Sequence, residues 1–160
     1  MTLFDASAPL LPEIIALHGK WKAGKIAVIS QDEHLTWREL DEASNRIANG
    51  LLANGIGPGS MVGLIMKNGR QMVEAFIGIM KSGAASVPIN LSVSDEALNA
   101  MFQDAAVETA IATVDQLRRL DAFDVTDFKI PPIVGGGGDS GSEPDQFEAF
   151  KRAYPADKQL

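Results

Sequence analysis

The sequence predicts an α/β fold made of parallel βαβ units, with helices packed on the sheet. Apolar runs at 62–66, 84–89 and 109–113 have the length and composition of strands that are buried on both faces. Helical stripes of apolar residues separate these runs, and alternating strands and helices are typical of right-handed parallel crossovers. A chain of 160 residues is long enough for one such domain with a hydrophobic core.

The elements ahead of the first buried strand are predicted from caps and periodicity. Residues 12–17 have the pattern of a short helix, and residues 26–35 that of a small β-hairpin. Thr36 and Glu39 have the spacing of a capping box, in which each side chain bonds to the amide of the other residue. Because apolar residues recur behind them at helical intervals, we predict a helix that continues to about residue 53.

The later elements are predicted on the same grounds. Residues 72–80 carry the apolar stripe of a helix that connects the first two buried strands. A further helix at 94–105 starts with a serine cap and an acidic first turn, which suits the positive end of the helix dipole. The pattern of residues 114–123 predicts another short helix. Residues 128–134 are predicted to form a last strand, which two prolines interrupt.

Composition divides the chain into three parts. An α/β subdomain covers residues 1–134, a Gly/Ser-rich linker covers 135–143, and a short C-terminal helix with a tail covers 144–160. The apolar stripe of that last helix comprises Phe147, Phe150 and Tyr154.

Composition also excludes several classes of function. The net charge is −7, whereas nucleic-acid and anionic-membrane surfaces need clustered Lys and Arg. The absence of cysteine excludes disulfides, thiolate metal sites and a cysteine nucleophile. No apolar run approaches the roughly 20 residues of a membrane helix, and no targeting pattern opens the sequence. We therefore expect a cytoplasmic protein with no membrane span, no metal site and no nucleic-acid partner.

Two glycine-rich stretches are interpreted as turn and linker. Residues 55–59 follow a predicted helix and precede a strand, whereas a dinucleotide fingerprint follows a strand and opens a helix. Residues 135–138 lack the lysine and hydroxyl residue of a phosphate-binding P-loop, and Asp139 and Glu143 add negative charge there. No group of residues supplies a nucleophile, a base and an orienting side chain together, so no catalytic residue is predicted.

Candidate ligand-binding residues follow the carboxyl ends of the first two buried strands, where ligands of open α/β sheets bind. Asn68 and Arg70 follow the first strand, and Asn90 and Ser92 follow the second. A structural role is the alternative for each of them. Asn68 would then cap the next helix or turn the chain, and Asn90 and Ser92 would form a turn before the following helix.

Three segments in a fixed order resemble a known family. Residues 35–40 read LTWREL, residues 55–68 read GIGPGSMVGLIMKN, and residues 76–90 read FIGIMKSGAASVPIN. They resemble the opening L-T-Y-x-E-L box, the glycine turn with its strand, and the a-G-a-x-x-v-P-i-N segment of the AMP-forming acyl-CoA synthetases. That superfamily includes aryl-CoA ligases, luciferases and the adenylation domains of peptide synthetases. The ordered match covers roughly residues 10–120.

The resemblance implies a fold, a reaction and a set of cofactors. The chain would form an N-terminal subdomain of the larger acyl-CoA synthetase fold. The parent enzyme would be an acid–thiol ligase that uses ATP, Mg²⁺ and CoA. A carboxylic acid substrate would attack the α-phosphate of ATP to give an acyl-adenylate and pyrophosphate, and CoA would then displace AMP.

The sequence departs from the family at several positions. The usual Asp after the turn glycine is Ser60, the usual Pro before Asn68 is Lys67, and Ser92 stands where some members carry a basic residue near CoA. The phosphate loop, T-S-G-T-T-G-x-P-K-G, is expected shortly beyond residue 150 and does not occur in these 160 residues.

We therefore expect the 160-residue chain to be an inactive fragment of the parent enzyme that binds no cofactor. The alternative is a naturally short, non-catalytic α/β module that binds a nucleotide or a protein partner. A homodimer is expected if apolar surface is exposed, through the stripe of the C-terminal helix or through an open sheet edge.

Overall fold

The fold is taken from a computed structural model, which describes residues 10–31, 33–121, 133–135 and 146–157. The helices in these ranges are α1 (Leu11–Trp21), α2 (Trp37–Ala53), α3 (Arg70–Lys81), α4 (Asp95–Asp104), α5 (Val114–Asp121) and α6 (Gln146–Arg152). The strands are β1 (Ile26–Ser30), β2 (Glu33–Thr36), β3 (Met61–Ile65), β4 (Ala85–Pro88), β5 (Thr109–Thr113) and β6 (Ile133–Gly135).

The main sheet is parallel throughout and has the strand order β4-β3-β5-β6. Val62 at the start of β3 lies opposite Ser86 on one side and Thr109 on the other. Since β3 and β5 are interior strands, their residues are almost entirely buried, as the continuous apolar runs predicted. The predicted parallel βαβ architecture is confirmed.

Alternate side chains of β3 enter two different hydrophobic clusters. Val62 and Leu64 pack with α2 and α3 on one face of the sheet, whereas Ile65 packs with α4 and α5 on the other. Gly63 also points to the second face, where a Cβ atom would lie 2.6 Å from the ring of Phe102. The glycine is therefore required for the close approach of α4 to the sheet.

The hairpin and the capping box predicted ahead of the sheet are both confirmed. Strands β1 and β2 pair antiparallel, with Ser30 opposite Glu33 at the turn. The Glu39 amide donates to Thr36 Oγ1 at 3.3 Å, and the Thr36 amide donates to Glu39 Oε2 at 2.8 Å. The amide and hydroxyl of Thr36 lower the pKa of the Glu39 carboxyl below its usual value of 4.5.

The C-terminal helix is part of the core and not a free apolar surface. Phe147 is fully buried in the cluster that contains Ile47 and Leu51 of α2, and Phe150 packs against the same cluster. The expectation that this stripe is available for a dimer is therefore wrong, because the apolar side of α6 is used within the chain. Gly135 of the predicted linker belongs to β6; residues 136–143 and the predicted strand residues 128–132 lie outside the described residues.

The segment after α6 is held on α2 by polar side chains. Asn49 Nδ2 donates to the main-chain carbonyl oxygens of Pro155 and Asp157, each at 2.8 Å. Asn45 Nδ2 donates to the carbonyl oxygen of Ala156 at 2.9 Å. These bonds fix residues 155–157 along one side of the helix.

Candidate functional site

The carboxyl edge of the parallel sheet is the candidate functional site. Strands β3 and β4 are adjacent and parallel, so the loops that follow them leave the sheet at the same edge. The Ile89 amide donates to the Leu64 carbonyl oxygen at 3.0 Å, which extends the pairing just past the end of β4. Ligands of open α/β sheets bind outside such edges.

Asn68 lies in the loop after β3, and its side chain is exposed. The N-cap of α3 is Gly69, whose extended backbone offers no side-chain hydrogen bond to the helix. Asn68 therefore does not cap α3. It lies in the bend between β3 and α3, as the other structural role predicted for it, turning the chain, requires. An exposed amide at this edge remains available to a ligand.

Asn90 and Ser92 are brought together in the loop after β4. The Ser92 amide donates to Asn90 Oδ1 at 2.9 Å, which is the geometry of an Asx turn. Both side chains are exposed. The structural role predicted as the alternative for Asn90 is thus present, and the Ser92 hydroxyl faces solvent at the carboxyl edge.

Arg119 of α5 holds this loop in place, although no pattern in the sequence singles it out. Its guanidinium donates to the carbonyl oxygens of Leu91 at 3.1 Å and Val93 at 2.7 Å. It also donates to the carboxylate of Asp95 at 2.7 Å and to the side chain of Gln116 at 2.8 Å. Planar, multidentate donation of this kind is specific to arginine. Arg119 is a positioning residue for the loop between β4 and α4.

Arg70 belongs to a charged cluster at the start of α3. Its Nε donates to Glu74 Oε1 at 2.7 Å, and the Glu74 carboxylate raises the pKa of the Arg70 guanidinium. The other oxygen of Glu74 accepts from Lys151 of α6. An open cavity of about 320 Å³ adjoins these groups. Its lining residues are Glu39, Glu42, Ala43, Arg46, Arg70, Glu148, Lys151 and Arg152. Arg70 is thus engaged within the protein.

A larger cavity of about 450 Å³ lies between α1, α2 and the segment after α6. Lys81 at its wall donates to Asp41 Oδ1 at 2.5 Å and to Asn45 Oδ1 at 2.8 Å. Because α3 crosses back antiparallel to the strands, its last residue lies toward the amino edge of the sheet. Lys81 is therefore remote from the carboxyl edge that forms the candidate site.

The polar side chains that the described residues expose at the carboxyl edge include those of Asn68, Asn90 and Ser92. Across the ranges that the structure covers, no three His, Asp or Glu side chains are grouped so that they could hold a metal ion. Of the helices described, none is long and apolar enough to cross a membrane. The arrangement can present exposed amide and hydroxyl groups at a rigid edge, and it can hold loops in fixed positions.

A family model described as "AMP-binding enzyme" matches residues 18–154. The chain belongs to the AMP-binding enzyme family. The match extends the segments on which the resemblance rested and confirms it. Residues 18–154 contain the carboxyl-edge loops as well as α6, so these elements lie within the family's pattern.

A curated relative carries the same region within a much longer protein. Tyrocidine synthase 2 of Brevibacillus parabrevis is 34% identical over 117 residues, which are 73% of this chain and 3% of that protein. The chain thus spans a small part of the length of the relative that it matches.

Two solved structures share the fold. An anthranilate CoA ligase in complex with anthranoyl-AMP has a TM-score of 0.80 at 23% identity, over 91% of this chain and 28% of that one. The N-terminal domain of FACL13 from Mycobacterium tuberculosis has a TM-score of 0.79 at 22% identity, over 93% of this chain and 37% of that one. The predicted fold, an N-terminal portion of a larger ligase fold, is confirmed.

Proposed function

We propose that this chain is the N-terminal part of an adenylate-forming ligase that activates a carboxylic acid with ATP. The observation that carries the proposal is the family match over residues 18–154, in a fold shared with a CoA ligase. In the proposed reaction the carboxylate attacks the α-phosphate of ATP, pyrophosphate leaves, and a thiol displaces AMP from the acyl-adenylate.

We propose CoA as the acceptor thiol, so that the parent enzyme is an acyl-CoA synthetase of the cytoplasm. Support for CoA comes from the protein with the same fold that is described as an anthranilate CoA ligase, and the anthranoyl-AMP in its structure is an acyl-adenylate. Identity to a peptide synthase, at 34%, favours a second candidate, in which the acid is an amino acid held by a synthetase module.

The residues that the structure describes do not fit the triphosphate of ATP or its metal ion. The 160 residues contain no Gly/Ser/Thr-rich loop followed by lysine, which is the arrangement that stabilises a leaving pyrophosphate. Among the described side chains, no carboxylate group is assembled for Mg²⁺. We therefore assign no step of the reaction to this chain, and we propose that it builds the sheet edge beside which the reaction is completed by other residues.

The proposed role of Asn68, Asn90 and Ser92 is limited to that edge. Asn68 and the Ser92 hydroxyl are exposed there, and Arg119 fixes the loop that carries Ser92. These groups would contact the substrate or the acceptor thiol of the complete enzyme by hydrogen bonds alone.

The function is tested by pyrophosphate release in two polypeptides. The 160-residue chain is expected to release none with ATP, Mg²⁺, CoA and a panel of fatty, aryl and amino acids. A polypeptide encoded by the same reading frame and extended through a T-S-G-T-T-G segment is expected to release it with one class of acid. Turnover by the 160-residue chain would overturn the assignment of the chemistry to other residues.

The two candidate acceptors are separated in the same assay. Thioester formation on CoA with a fatty or aryl acid supports the acyl-CoA synthetase, whereas transfer of an amino acid to a carrier-protein thiol supports the synthetase module. A reading frame that ends at residue 160 would contradict both and would favour a non-catalytic module.

A further inference from the structure

One face of α1 is apolar and exposed. Leu10, Ile14, Leu17 and Trp21 recur at intervals of four, three and four residues, and their exposed fractions are 66%, 36%, 38% and 79%. On the helix this spacing places Ile14, Leu17 and Trp21 in one narrow row, and Leu10 is the N-cap residue that precedes it. These four residues are here named the α1 stripe. Ile15, on the other side of α1, is buried and packs against the domain.

The spacing of the α1 stripe is that of a two-helix seam. Apolar residues alternating at three and four residues repeat every 3.5 residues on average, which keeps a seam facing a second helix. A single helix packed on a globular core needs only the inward face that Ile15 and Gly19 already provide. The outer row is therefore matched to another helix of similar length.

Charged residues beside the α1 stripe identify that second helix. Glu13 and Lys20 lie seven residues apart on the same flank of the stripe, and both are exposed. If two copies of α1 pair antiparallel, Glu13 of each copy faces Lys20 of the other. In a parallel pair the two Glu13 carboxylates would lie at the same level, and so would the two Lys20 ammonium groups. Flanking charges set the orientation of such pairs.

We propose that α1 is a self-association surface through which two copies of this chain pair antiparallel. The seam consists of the α1 stripe of each copy, and two Glu13–Lys20 ion pairs flank it. The surface is distinct from the carboxyl edge of the sheet and from the charged cavity beside Arg70, so association leaves the candidate functional site open.

The pairing is weak and depends on concentration. Helix α1 has 11 residues, which at about 1.5 Å per residue gives a contact only roughly 16 Å long. Such a contact is smaller than the interface of a stable complex. We therefore expect a dissociation constant above about 1 µM. Trp21, the most exposed member of the stripe, becomes covered on pairing, so its fluorescence should shift to shorter wavelength as concentration rises.

Sedimentation velocity of the 160-residue chain, with two charge reversals, tests the proposal. K20E places two carboxylates opposite each other at both Glu13–Lys20 contacts of the pair, and E13K places two ammonium groups opposite each other at the same contacts. Either variant alone should therefore associate about tenfold more weakly than the wild type. An equimolar mixture of the two variants pairs unlike charges again in the mixed dimer, so it should associate more strongly than either variant alone. Weakening in each single variant is expected only for the antiparallel pair, because only that pair sets Glu13 opposite Lys20 in the wild type. Recovery in the mixture would show that the weakening comes from charge and not from a change in folding.

A control and an independent variant complete the experiment. R118E makes a charge reversal on exposed α5 surface away from α1 and should leave association unchanged. L17D replaces a half-exposed residue of the stripe and should abolish the dimer, and it leaves the Glu13 cap of α1 intact. A chain that stays monomeric up to about 1 mM would overturn the proposal and leave the stripe to a different protein. A dimer that persists in L17D would overturn the proposal as well. So would association that is equally strong in the wild type, K20E and E13K.

Discussion

The carboxylate of Glu74 lies 2.5 Å from the ammonium group of Lys151, and both side chains are almost completely buried. The pair joins α3 to α6 across 77 positions of sequence. Arg70 contacts the other oxygen of Glu74 at 2.7 Å, and Glu148 contacts Lys151 at 2.5 Å. Helix α6 is thus held by the burial of Phe147 and by the ion pair between Lys151 and Glu74. Because both charges are buried, they are compensated only when α6 is docked with Lys151 next to Glu74.

Removing Lys151 alone should be costly. K151M leaves the buried Glu74 with Arg70 as its remaining charged partner, so we expect a loss of about 3 kcal/mol in the free energy of unfolding. Replacing both members, as in K151M with E74M, should restore most of that loss because no unpaired charge stays buried. Urea denaturation measures both values. Lys25 is exposed, and K25M is the matched control that should change little; equal losses in the single and double variants would contradict the expectation.

Arg119 should control the mobility of the loop between β4 and α4. R119M removes the donors to Leu91 and Val93, and charge-assisted bonds of this type contribute about 2 kcal/mol. We expect faster hydrogen exchange of the amides at 91–95 with the sheet amides unchanged. The neighbouring Arg118 is exposed, so R118M provides a control of the same chemistry. Similar exchange in both variants would show that the loop does not depend on Arg119.

The capping box should make the stability of α2 depend on pH. Because the folded-state pKa of Glu39 is lowered, its contribution is present above the unfolded value near 4.5 and is lost as pH falls through the folded pKa. E39Q should therefore be less stable than the wild type near pH 7, and the difference should shrink at about pH 3. Thr36→Ala should cost about 1 kcal/mol.

Thermal unfolding at the two pH values measures the effect. Glu42 is exposed on the same helix, and E42Q is the control for removing a carboxylate outside the capping box. If the difference in stability between the wild type and E39Q is the same at both pH values, the ionised carboxylate of Glu39 is not its cause.

Gly78 should be intolerant of any side chain. A Cβ atom there would lie 2.6 Å from both Cβ and Cγ2 of Ile47, atoms next to the α2 backbone that cannot turn aside. G78A should therefore destabilise the domain by roughly 2 kcal/mol, despite the higher helix propensity of alanine. Gly24 has open space around it, so G24A should be neutral or slightly stabilising in the same denaturation assay.

Local patterns were enough to predict most of the fold, because the interactions behind them are local. Thr36 and Glu39 are three residues apart, and their reciprocal bonds follow from that spacing. The buried strands were visible because β3 and β5 are covered on both faces and so carry no alternation of polar residues. The position of the candidate site followed from the parallel order of the strands.

Interactions between distant segments were not predicted. Phe147 was assigned to an exposed stripe because a short amphipathic helix does not reveal what its apolar side meets, and only the fold places it beside Ile47. No sequence pattern indicates the role of Arg119, since its main-chain acceptors lie in a loop 26 and 28 positions away. Main-chain acceptors have no sequence pattern, so such contacts become visible only in three dimensions.

The hydrogen bonds from α2 to residues 155–157 have a consequence for which substitutions this protein can accept. Asn45 and Asn49 bond to main-chain oxygens, which every amino acid carries, so replacing Pro155, Ala156 or Asp157 removes no acceptor. Replacing either asparagine removes the side-chain donor that reaches those oxygens. Substitutions should therefore be tolerated at residues 155–157 and should be destabilising at Asn45 and Asn49.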